Sequence, residues 1–218
     1  MKITIVYDNE AKQPGLIADW GFSCLIEAPD TPKILFDTGA NGEILLHNMK
    51  QLGIDPSSIG IVVISHPHWD HFGGLQDIME SSRDAELYLP QSFSGGTSAR
   101  RMTRVKQPIE IRPNIFSTGE LGGIEQSLVI GTDKGLLVVV GCSHPGVGNI
   151  LDAASKFGKV YGIVGGFHGF RQFDRLNPLS LIYPCHCTQF KSEIRRLFSD
   201  RCLDCGAGAI IELSQPND

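Results

Sequence analysis

The stretch SHPHWDHFGGL, Ser65 to Leu75, places three histidines and an aspartate within the six positions from His66 to His71. It directly follows the apolar run IGIVVI, which is typical of a buried strand. Histidine and aspartate side chains are costly to bury unless hydrogen bonds or a metal ion satisfy their polar atoms. The position of this cluster therefore raises the hypothesis of a metal site.

Three further histidines stand at the ends of apolar runs. LLVVVGCSH ends at His144, VYGIVGGFH at His168 and LSLIYPCH at His186. Strand ends that share one rim of a sheet can bring distant side chains together on a rigid support, where binding and catalytic groups tend to collect. We therefore expect these histidines to lie near His66.

Spacing within the cluster indicates two metal ions. In a loop that follows a strand, side chains two positions apart can point the same way, so His66 and His68 can share one ion. Asp70 and His71 can turn toward another. Because zinc usually takes about four ligands, each set needs donors from elsewhere in the chain. The predicted metal ligands are His66, His68, Asp70, His71, His144 and His186.

Composition narrows the classes of partner. The chain has 218 residues, a formal net charge of -5 and a sequence pI near 5.8, so it lacks the basic surplus that attracts nucleic acids or anionic membranes. The opening run MKITIVYDNE is typical of a strand rather than of a signal peptide, and no apolar run approaches the roughly 20 residues of a membrane-spanning helix. We therefore expect a single cytoplasmic domain over residues 1–218 that acts on a small molecule.

Hydrophobic periodicity predicts the order of strands and helices. Helices are predicted over residues 42–52, 74–81, 148–158 and 189–198. Strands are predicted in KITIVYD, GFSCLIEA, KILFDTG, IGIVVIS, AELYLP, IEIRPNIFST, QSLVIGT, GLLVVVGC, KVYGIVGG, LSLIYP and GAIIEL. Residues 92–104 lack a clean period and are predicted to be a mobile loop with a short helix. Each half runs strands, a histidine at a strand end and a helix, which predicts an α/β fold with sheets between helices.

SHPHWDH, together with LFDTG, GCSH and PCHC, resembles the metallo-β-lactamase-fold superfamily over nearly the whole chain. The resemblance implies an αββα four-layer sandwich with two mixed β-sheets flanked by helices. It implies a first metal bound by His66, His68 and His144. It implies a second metal bound by Asp70, His71 and His186. Asp37 in LFDTG would lie behind these ligands and orient one of them through hydrogen bonds.

Within the superfamily, GFSCLIE, GCSHPGVGNIL, GGFH and PCHCT resemble the dihydropteroate-synthase-like branch. That branch is named for an archaeal enzyme of methanopterin biosynthesis, which joins a dihydropterin diphosphate to ribofuranosylaminobenzene phosphate. Three features depart from the pattern. His168 stands where many members place a metal-bridging aspartate, the segment from His168 to His186 is shorter than expected, and HCTQ replaces HCTG.

These features together predict an enzyme, either a hydrolase or a group transferase, with a dinuclear metal site. Two divalent ions can activate water and polarise a carbonyl or phosphoryl oxygen. Zinc is the expected metal, and manganese and iron also accept imidazole and carboxylate ligands. The expected substrate is an anionic small molecule bearing a phosphate or an ester, such as a pterin-related diphosphate, with Asp70 and His168 as catalytic residues. The alternative is a non-hydrolytic protein that uses iron or zinc for electron transfer or sensing.

The basic segment, the cysteines and Trp69 give less specific predictions. The basic residues of TSARRMTRVK are expected in a solvated surface loop rather than at an anionic substrate. Cys202 and Cys205 in CLDC are interpreted as reduced thiols in preference to a zinc site or a redox pair. Cys24 and Cys142 are interpreted as packing residues. Trp69 is expected to pack beneath the metal loop.

Overall fold

The computed structural model of the chain describes residues 1–214. The strands are β1 (Lys2–Tyr7), β2 (Ser23–Glu27), β3 (Lys33–Phe36), β4 (Ile59–Val63), β5 (Glu86–Pro90), β6 (Arg101–Val105), β7 (Ile109–Arg112), β8 (Ile115–Ser117), β9 (Leu128–Thr132), β10 (Gly135–Val140), β11 (Val160–Gly166), β12 (Leu181–Cys185) and β13 (Ile210–Glu212). The helices are α1 (Gly42–Gln51), α2 (Trp69–Phe72), α3 (Leu75–Ser81), α4 (Val147–Ala154) and α5 (Lys191–Leu197). Single 3-10 turns occur at Pro56–Ser58, Ser155–Phe157 and Phe173–Leu176.

The strands form two mixed sheets. The first sheet has the order β13-β1-β2-β3-β4-β5-β6, and the second has the order β12-β11-β10-β9-β8-β7. Strands β3 to β6 run parallel to one another, as do β10, β11 and β12, whereas the other pairings are antiparallel. The prediction of an α/β fold with two mixed sheets is confirmed.

Successive side chains of a strand point to opposite faces of its sheet, and this alternation builds four layers. In β3, Ile34 and Phe36 point into the core between the two sheets, whereas Leu35 points to the opposite face. That outer face of the first sheet packs against α1 and α3, and the outer face of the second sheet packs against α4 and α5. Helices therefore cover both outer faces, which gives the expected αββα sandwich.

In helix α1 the local sequence determines where the helix begins and which face it buries. Asn41 caps its start, because the side-chain Oδ1 accepts hydrogen bonds from the backbone N–H groups of Glu43 (2.8 Å) and Ile44 (3.2 Å). Leu45 and Met49, four positions apart, lie on the face that is buried against the first sheet. The helix thereby fixes the loop after β3, which leads into the site.

Parallel strands place the sequence-predicted residues at one edge of the sandwich. The carboxyl ends of β3 and β4 are followed by Asp37 and His66, and those of β10, β11 and β12 by His144, His168 and His186. The rings of His66 and His144 have centroids 4.7 Å apart, so the edges of the two sheets meet at this point.

Two predicted elements were wrong. Part of the loop expected at residues 92–104 is strand β6, which pairs in parallel with β5. It is an edge strand in which only Val105 is buried, so its sequence carries no apolar alternation. The single strand expected in IEIRPNIFST is a hairpin of β7 and β8, which turns at Asn114 with a left-handed backbone (φ 62°).

Among residues 1–214, no helix is both long enough and apolar enough to span a membrane. The single domain expected over residues 1–218 stays a prediction, and its last four positions, 215–218, lie outside the described residues.

Candidate metal centre

His66, His68 and His144, called here the first triplet, come together at the sheet edge. One ligand atom from each lies within 4.8 Å of the others. The ring centroids of His66 and His68 are 4.6 Å apart, and those of His68 and His144 are also 4.6 Å apart. These are the three residues that the superfamily resemblance assigns to one ion.

Asp70, His71 and His186, called here the second triplet, meet beside the first. Their ligand atoms also lie within 4.8 Å of one another. Asp70 Oδ2 is 3.3 Å from His186 Nε2 and 3.9 Å from His71 Nε2. The rings of His66 and His71 have centroids 4.1 Å apart, so the two triplets are adjacent. The structure thus brings together all six residues predicted as ligands, and their binding of metal stays a prediction.

The local fold of the motif separates the two triplets. The chain bends at His66 and Pro67, is extended at His68 and then turns into α2, which begins at Trp69. Asp70 and His71 therefore project from a helical turn, whereas His66 and His68 precede it. Gly73 lets this turn approach the loop after β3, because a Cβ at Gly73 would lie 2.0 Å from the backbone oxygen of Ala40.

The buried imidazoles have the unsatisfied nitrogens that a metal site requires. Among residues 1–214, the Nε2 atoms of His66, His144 and His186 are buried and make no hydrogen bond. A buried polar atom without a partner costs about 1–3 kcal/mol, and such atoms call for an explanation such as an ion. All three point into the two triplets. The donor set therefore fits divalent metal ions, which bind neutral imidazole nitrogen and carboxylate oxygen.

Asp37 orients ligands of both triplets, as expected. Its Oδ2 is 2.7 Å from His71 Nδ1 and accepts a hydrogen bond from Ser65 Oγ, also at 2.7 Å, while its Oδ1 accepts from Ser65 N. Ser65 Oγ in turn lies 2.8 Å from His66 Nδ1. With Nδ1 held in this way, each ring turns Nε2 toward the centre, which is the usual arrangement behind metal-binding histidines.

Glu125, which the sequence analysis missed, holds the loop that carries His144. Its carboxylate accepts hydrogen bonds from the backbone N–H groups of four consecutive residues. These are Gly141, Cys142, Ser143 and His144, at 2.8–3.2 Å. Complete burial raises the pKa of Glu125 to about 7, although these hydrogen bonds act in the opposite direction. No motif marks this residue, because its role arises only when the loop folds over it.

Asp8 and Asn9, also missed, hold His186. The backbone N–H of His186 donates to Asp8 Oδ2 (2.8 Å), and His186 Nδ1 lies 2.9 Å from Asn9 Oδ1. Burial raises the pKa of Asp8 to about 6. Both residues directly follow β1, so the rule that polar groups at strand ends collect at the site could have found them.

Electrostatics favour the metal-binding forms of His66, His144 and Asp70. His71 is the exception, because burial is outweighed by the charge and the hydrogen bond of Asp37, which raise its pKa, so an ion binding there would displace a proton. Burial, and then the neighbouring histidines, lower the pKa of His144 to about 4 and shift that of His66 in the same direction. Their imidazoles are therefore neutral at neutral pH, as coordination requires. Burial opposes ionisation of Asp70, but the adjacent His186 and the charge of His71 bring its pKa down to about 2. The carboxylate of Asp70 is therefore available as an anionic ligand.

The backbone is strained where the strands enter the site. Asp37, Ser143, His168 and His186 all adopt left-handed conformations, with φ between 44° and 61°. Non-glycine residues rarely do so, and such strain costs on the order of 1–3 kcal/mol per residue. Its concentration at four strand ends around one centre supports a functional role for this edge.

Exposed aromatic residues surround the centre. Trp20 is half exposed, its Nε1 donates to Asp70 Oδ2 (2.8 Å), and its ring is 5.0 Å from that of His186. Trp69 is 60% exposed, so the expectation that it packs beneath the loop was wrong. As the first residue of α2, its side chain projects outward. His168 is exposed, and its ring lies 5.2 Å from that of His144.

The predictions for two cysteines, Cys142 and Cys205, were wrong. Cys142 is buried, but its Sγ lies 3.1 Å from His71 Nε2, so it faces the site rather than serving only as a packing residue. Cys205 is not a reduced thiol, because it forms a disulfide with Cys185. Cys205 and Cys185 lie in the core between the sheets, whereas Cys202 belongs to the outer layer. The C-x-x-C spacing therefore does not bring Cys202 and Cys205 together.

The basic segment does not converge on the centre. Arg100 pairs with Asp84 at 3.1 Å, and Arg101 lies 3.5 Å from Glu86. Arg104 donates to the backbone oxygen of Phe93. These contacts agree with the expectation of a solvated surface segment.

The family model of the metallo-beta-lactamase superfamily matches residues 21–146, which is more than half of the sequence. The chain belongs to this superfamily. It is 30% identical, over 79% of its length and 82% of the relative's, to 7,8-dihydropterin-6-methyl-4-(beta-D-ribofuranosyl)-aminobenzene-5'-phosphate synthase of Methanocaldococcus jannaschii. Tm1679, a metal-dependent hydrolase of the beta-lactamase superfamily, is 28% identical, with a TM-score of 0.79 over 99% of this chain and 100% of that one. The short form of human tRNase Z, 12% identical, shares the fold with a TM-score of 0.60 over 98% of this chain and 99% of that one.

These similarities confirm the resemblance carried by the motifs, including the relation to the methanopterin synthase. Metallo-β-lactamase superfamily members are mostly enzymes and typically bind divalent metals. Among residues 1–214, His168, which follows β11, belongs to neither triplet and lies at the rim of the centre beside His144. The prediction that it replaces a bridging aspartate stays a prediction.

Proposed function

We propose that this chain is a metal-dependent hydrolase or group transferase whose site holds two divalent ions. The observation that carries the proposal is the set of three buried Nε2 atoms, on His66, His144 and His186, that make no hydrogen bond among residues 1–214 and point into adjacent triplets. Folding leaves these nitrogens without partners, and divalent cations would satisfy all of them.

The first triplet would hold one ion and the second triplet the other. Zinc is proposed, since imidazole with carboxylate suits it well, and manganese or iron are the alternatives. Bound divalent ions polarise a carbonyl or phosphoryl oxygen, make water a better nucleophile at neutral pH and offset developing negative charge. The chain's own contribution is a rigid cradle in which Asp37 and Glu125 fix the ligands before an ion binds.

Asp70 and His168 are proposed as the catalytic residues. Asp70 stays ionised at neutral pH, and the N–H of Trp20 fixes the direction of its Oδ2. His168 is exposed at the rim beside His144, where its imidazole can hydrogen-bond to a substrate and accept or donate a proton. The backbone oxygen of His168 accepts from Gln189 N (2.9 Å), which fixes the loop that carries the ring.

The proposed substrate is an anionic small molecule that bears a phosphate or an ester, with a pterin-related diphosphate as the first candidate. The similarity to a synthase whose printed name contains both a dihydropterin and a phosphate supports this choice. The half-exposed ring of Trp20 beside the second triplet supports it as well, because an aromatic side chain can stack on a planar heterocycle.

Elemental analysis of the purified protein tests the metal centre. We expect close to two transition-metal ions per chain, and fewer in His66→Ala. The matched control is His47→Ala, since His47 lies on α1, makes its ring contact with the backbone oxygen of Gly15 and belongs to neither triplet. Absence of bound metal after reconstitution would overturn the proposal. Loaded protein would then be screened for cleavage of phosphodiester and thioester reporters and of pterin diphosphates.

A sulfur atom at the centre favours one second candidate, a metal protein for electron transfer or sensing. The Sγ of Cys142 lies 3.1 Å from His71 Nε2, and thiolate ligands also suit iron. Such a protein should show visible absorbance that changes when dithionite is added. A colourless protein that binds zinc and cleaves a reporter excludes this candidate.

A further inference from the structure

Two free thiols, called here the thiol pair, lie against the second triplet. Cys142 follows β10 and Cys187 follows β12, so the pair joins the loops after the two strands that flank β11 in the second sheet. Cys142 Sγ is 3.1 Å from His71 Nε2. The two sulfur atoms and a ring nitrogen of His186 lie within 4.8 Å of one another. Sulfur therefore stands beside both histidines that are proposed to bind the second ion.

The other cysteines have different surroundings. Cys24 is buried in the core between the sheets, and Cys202 packs in the outer layer beneath α5. Cys185 and Cys205 are bonded to each other. Among residues 1–214, only the thiol pair combines a free sulfur with a position at the triplets.

The fold holds the thiol pair in place. The carboxylate of Glu125 accepts from the backbone N–H of Cys142 (3.2 Å), which fixes that residue in its loop. A Cβ at Gly166 would lie 2.6 Å from Cys187 Sγ, so glycine at the end of β11 leaves room for this thiol. The two sulfur atoms lie within 4.8 Å of each other, and Cys187 Sγ donates to the backbone oxygen of Cys142 (3.9 Å).

We propose that Cys142 is a thiolate ligand of the ion held by Asp70, His71 and His186, and that the neighbouring Cys187 is not a ligand. This inference rests on the metal centre proposed above. One aspartate oxygen, two imidazole nitrogens and one sulfur make the four ligands that zinc usually takes. On binding, the S–H bond breaks, a sulfur–metal bond forms and the proton passes to solvent. A sulfur ligand makes the second position selective for thiophilic ions such as zinc over magnesium or manganese.

X-ray absorption at the zinc edge tests the inference on protein loaded with two zinc ions per chain. We expect a shell of zinc–sulfur scattering at about 2.3 Å beside the nitrogen and oxygen shell at about 2.0–2.1 Å. The sulfur shell should disappear in Cys142→Ser and remain in Cys187→Ser, which is the matched control because it removes the neighbouring sulfur. A wild-type spectrum without sulfur, or a sulfur shell that persists in Cys142→Ser, would overturn the assignment. Loss of the shell in both variants would contradict a single thiolate ligand.

Metal content separates this inference from the proposed function. If wild-type protein binds no zinc, the proposed function fails. If it binds two zinc ions without sulfur scattering, the thiolate assignment alone fails. Cobalt-substituted wild-type protein provides a measurement that needs no variant, since a cobalt–thiolate bond adds a charge-transfer absorption band in the near ultraviolet. Absence of that band at full cobalt occupancy would also overturn the assignment.

Discussion

Replacement of Asp37 by asparagine should weaken the second triplet while leaving the fold intact. Asp37 is fully buried and accepts three hydrogen bonds, two of them at Oδ2, from Ser65 Oγ and from His71 Nδ1. Asparagine has nearly the same shape and tolerates the left-handed backbone at this position (φ 57°). Its side-chain oxygen can keep the hydrogen bond from Ser65 N. Its NH2 group then faces Ser65 Oγ and His71 Nδ1, the two groups that donate to Oδ2 of the aspartate.

The expected losses of stability and of metal affinity follow from those two contacts. Loss of two hydrogen bonds at about 1 kcal/mol each lowers the free energy of unfolding by about 2 kcal/mol. His71 can recover one contact by accepting the asparagine N–H at Nδ1, but its proton then moves to Nε2, the atom that must bind metal. Removal of such a supporting carboxylate typically lowers metal affinity about 10- to 100-fold, which corresponds to about 1.4–2.8 kcal/mol.

Zinc titration against a chelating dye of known affinity measures this change for each ion. We expect one of the two sites in Asp37→Asn to weaken by the stated factor. Asp55→Asn is the matched control, because Asp55 is an exposed aspartate that caps a 3-10 turn through its side chain and contacts neither triplet. Wild-type affinity at both sites in Asp37→Asn would refute the orienting role of Asp37.

Three further outcomes are expected. His68→Ala should lose an ion and activity yet stay folded, with the melting temperature of chelator-treated wild-type protein, since His68 is exposed at the rim; unfolding at ordinary temperature would contradict this. Asp8 and Glu125 have pKa values raised to about 6 and about 7, so their stabilisation is full below pH 4 and is lost as the pH rises through 6 and 7. The lowered pKa values of His66, His144 and His186 act in the opposite direction, so the measurement is the difference between two chelator-treated proteins. From pH 5 to pH 8 the melting temperature of wild-type protein should fall further, or rise less, than that of Glu125→Gln. Removing the Cys185–Cys205 disulfide by a double alanine replacement should cost about 3 kcal/mol, measured by urea unfolding, because the bridge closes a loop with a sequence separation of 20.

The sequence could predict the site because its ligands follow buried strands. Each of His66, His144 and His186 ends an apolar run, and parallel strands deliver the residues at their carboxyl ends to one edge. This signal is local, since a run of β-branched residues and the polar residue that follows it can be identified without knowledge of the fold. Asp8 carries the same signal after β1, and a stricter use of the rule would have included it.

The missed features depend on distant contacts. Glu125 acts by accepting N–H groups from residues 141–144, a relation that exists only after the second sheet has formed. Cys205 bonds to Cys185 rather than pairing with Cys202, because the chain places Cys202 in the helical layer and Cys205 between the sheets. Strand β6 has only one buried side chain, so backbone pairing with β5 defines it, and composition gives no sign of it.

The cost of burying the ligand nitrogens explains why the centre needs so many supporting contacts. The buried Nε2 atoms of His66 and His144, which make no hydrogen bond, cost on the order of 2–6 kcal/mol together, a large part of the total stability of about 5–15 kcal/mol typical of a folded protein. His186 Nε2 instead lies 3.3 Å from Asp70 Oδ2. Left alone, the loops that carry them would turn these nitrogens toward water. Asp37 and Glu125 oppose that movement, because buried carboxylates of this kind bind the loops at seven backbone or side-chain groups. The network therefore holds the donors in position, so that an ion binding there would satisfy the nitrogens without reordering of the loops.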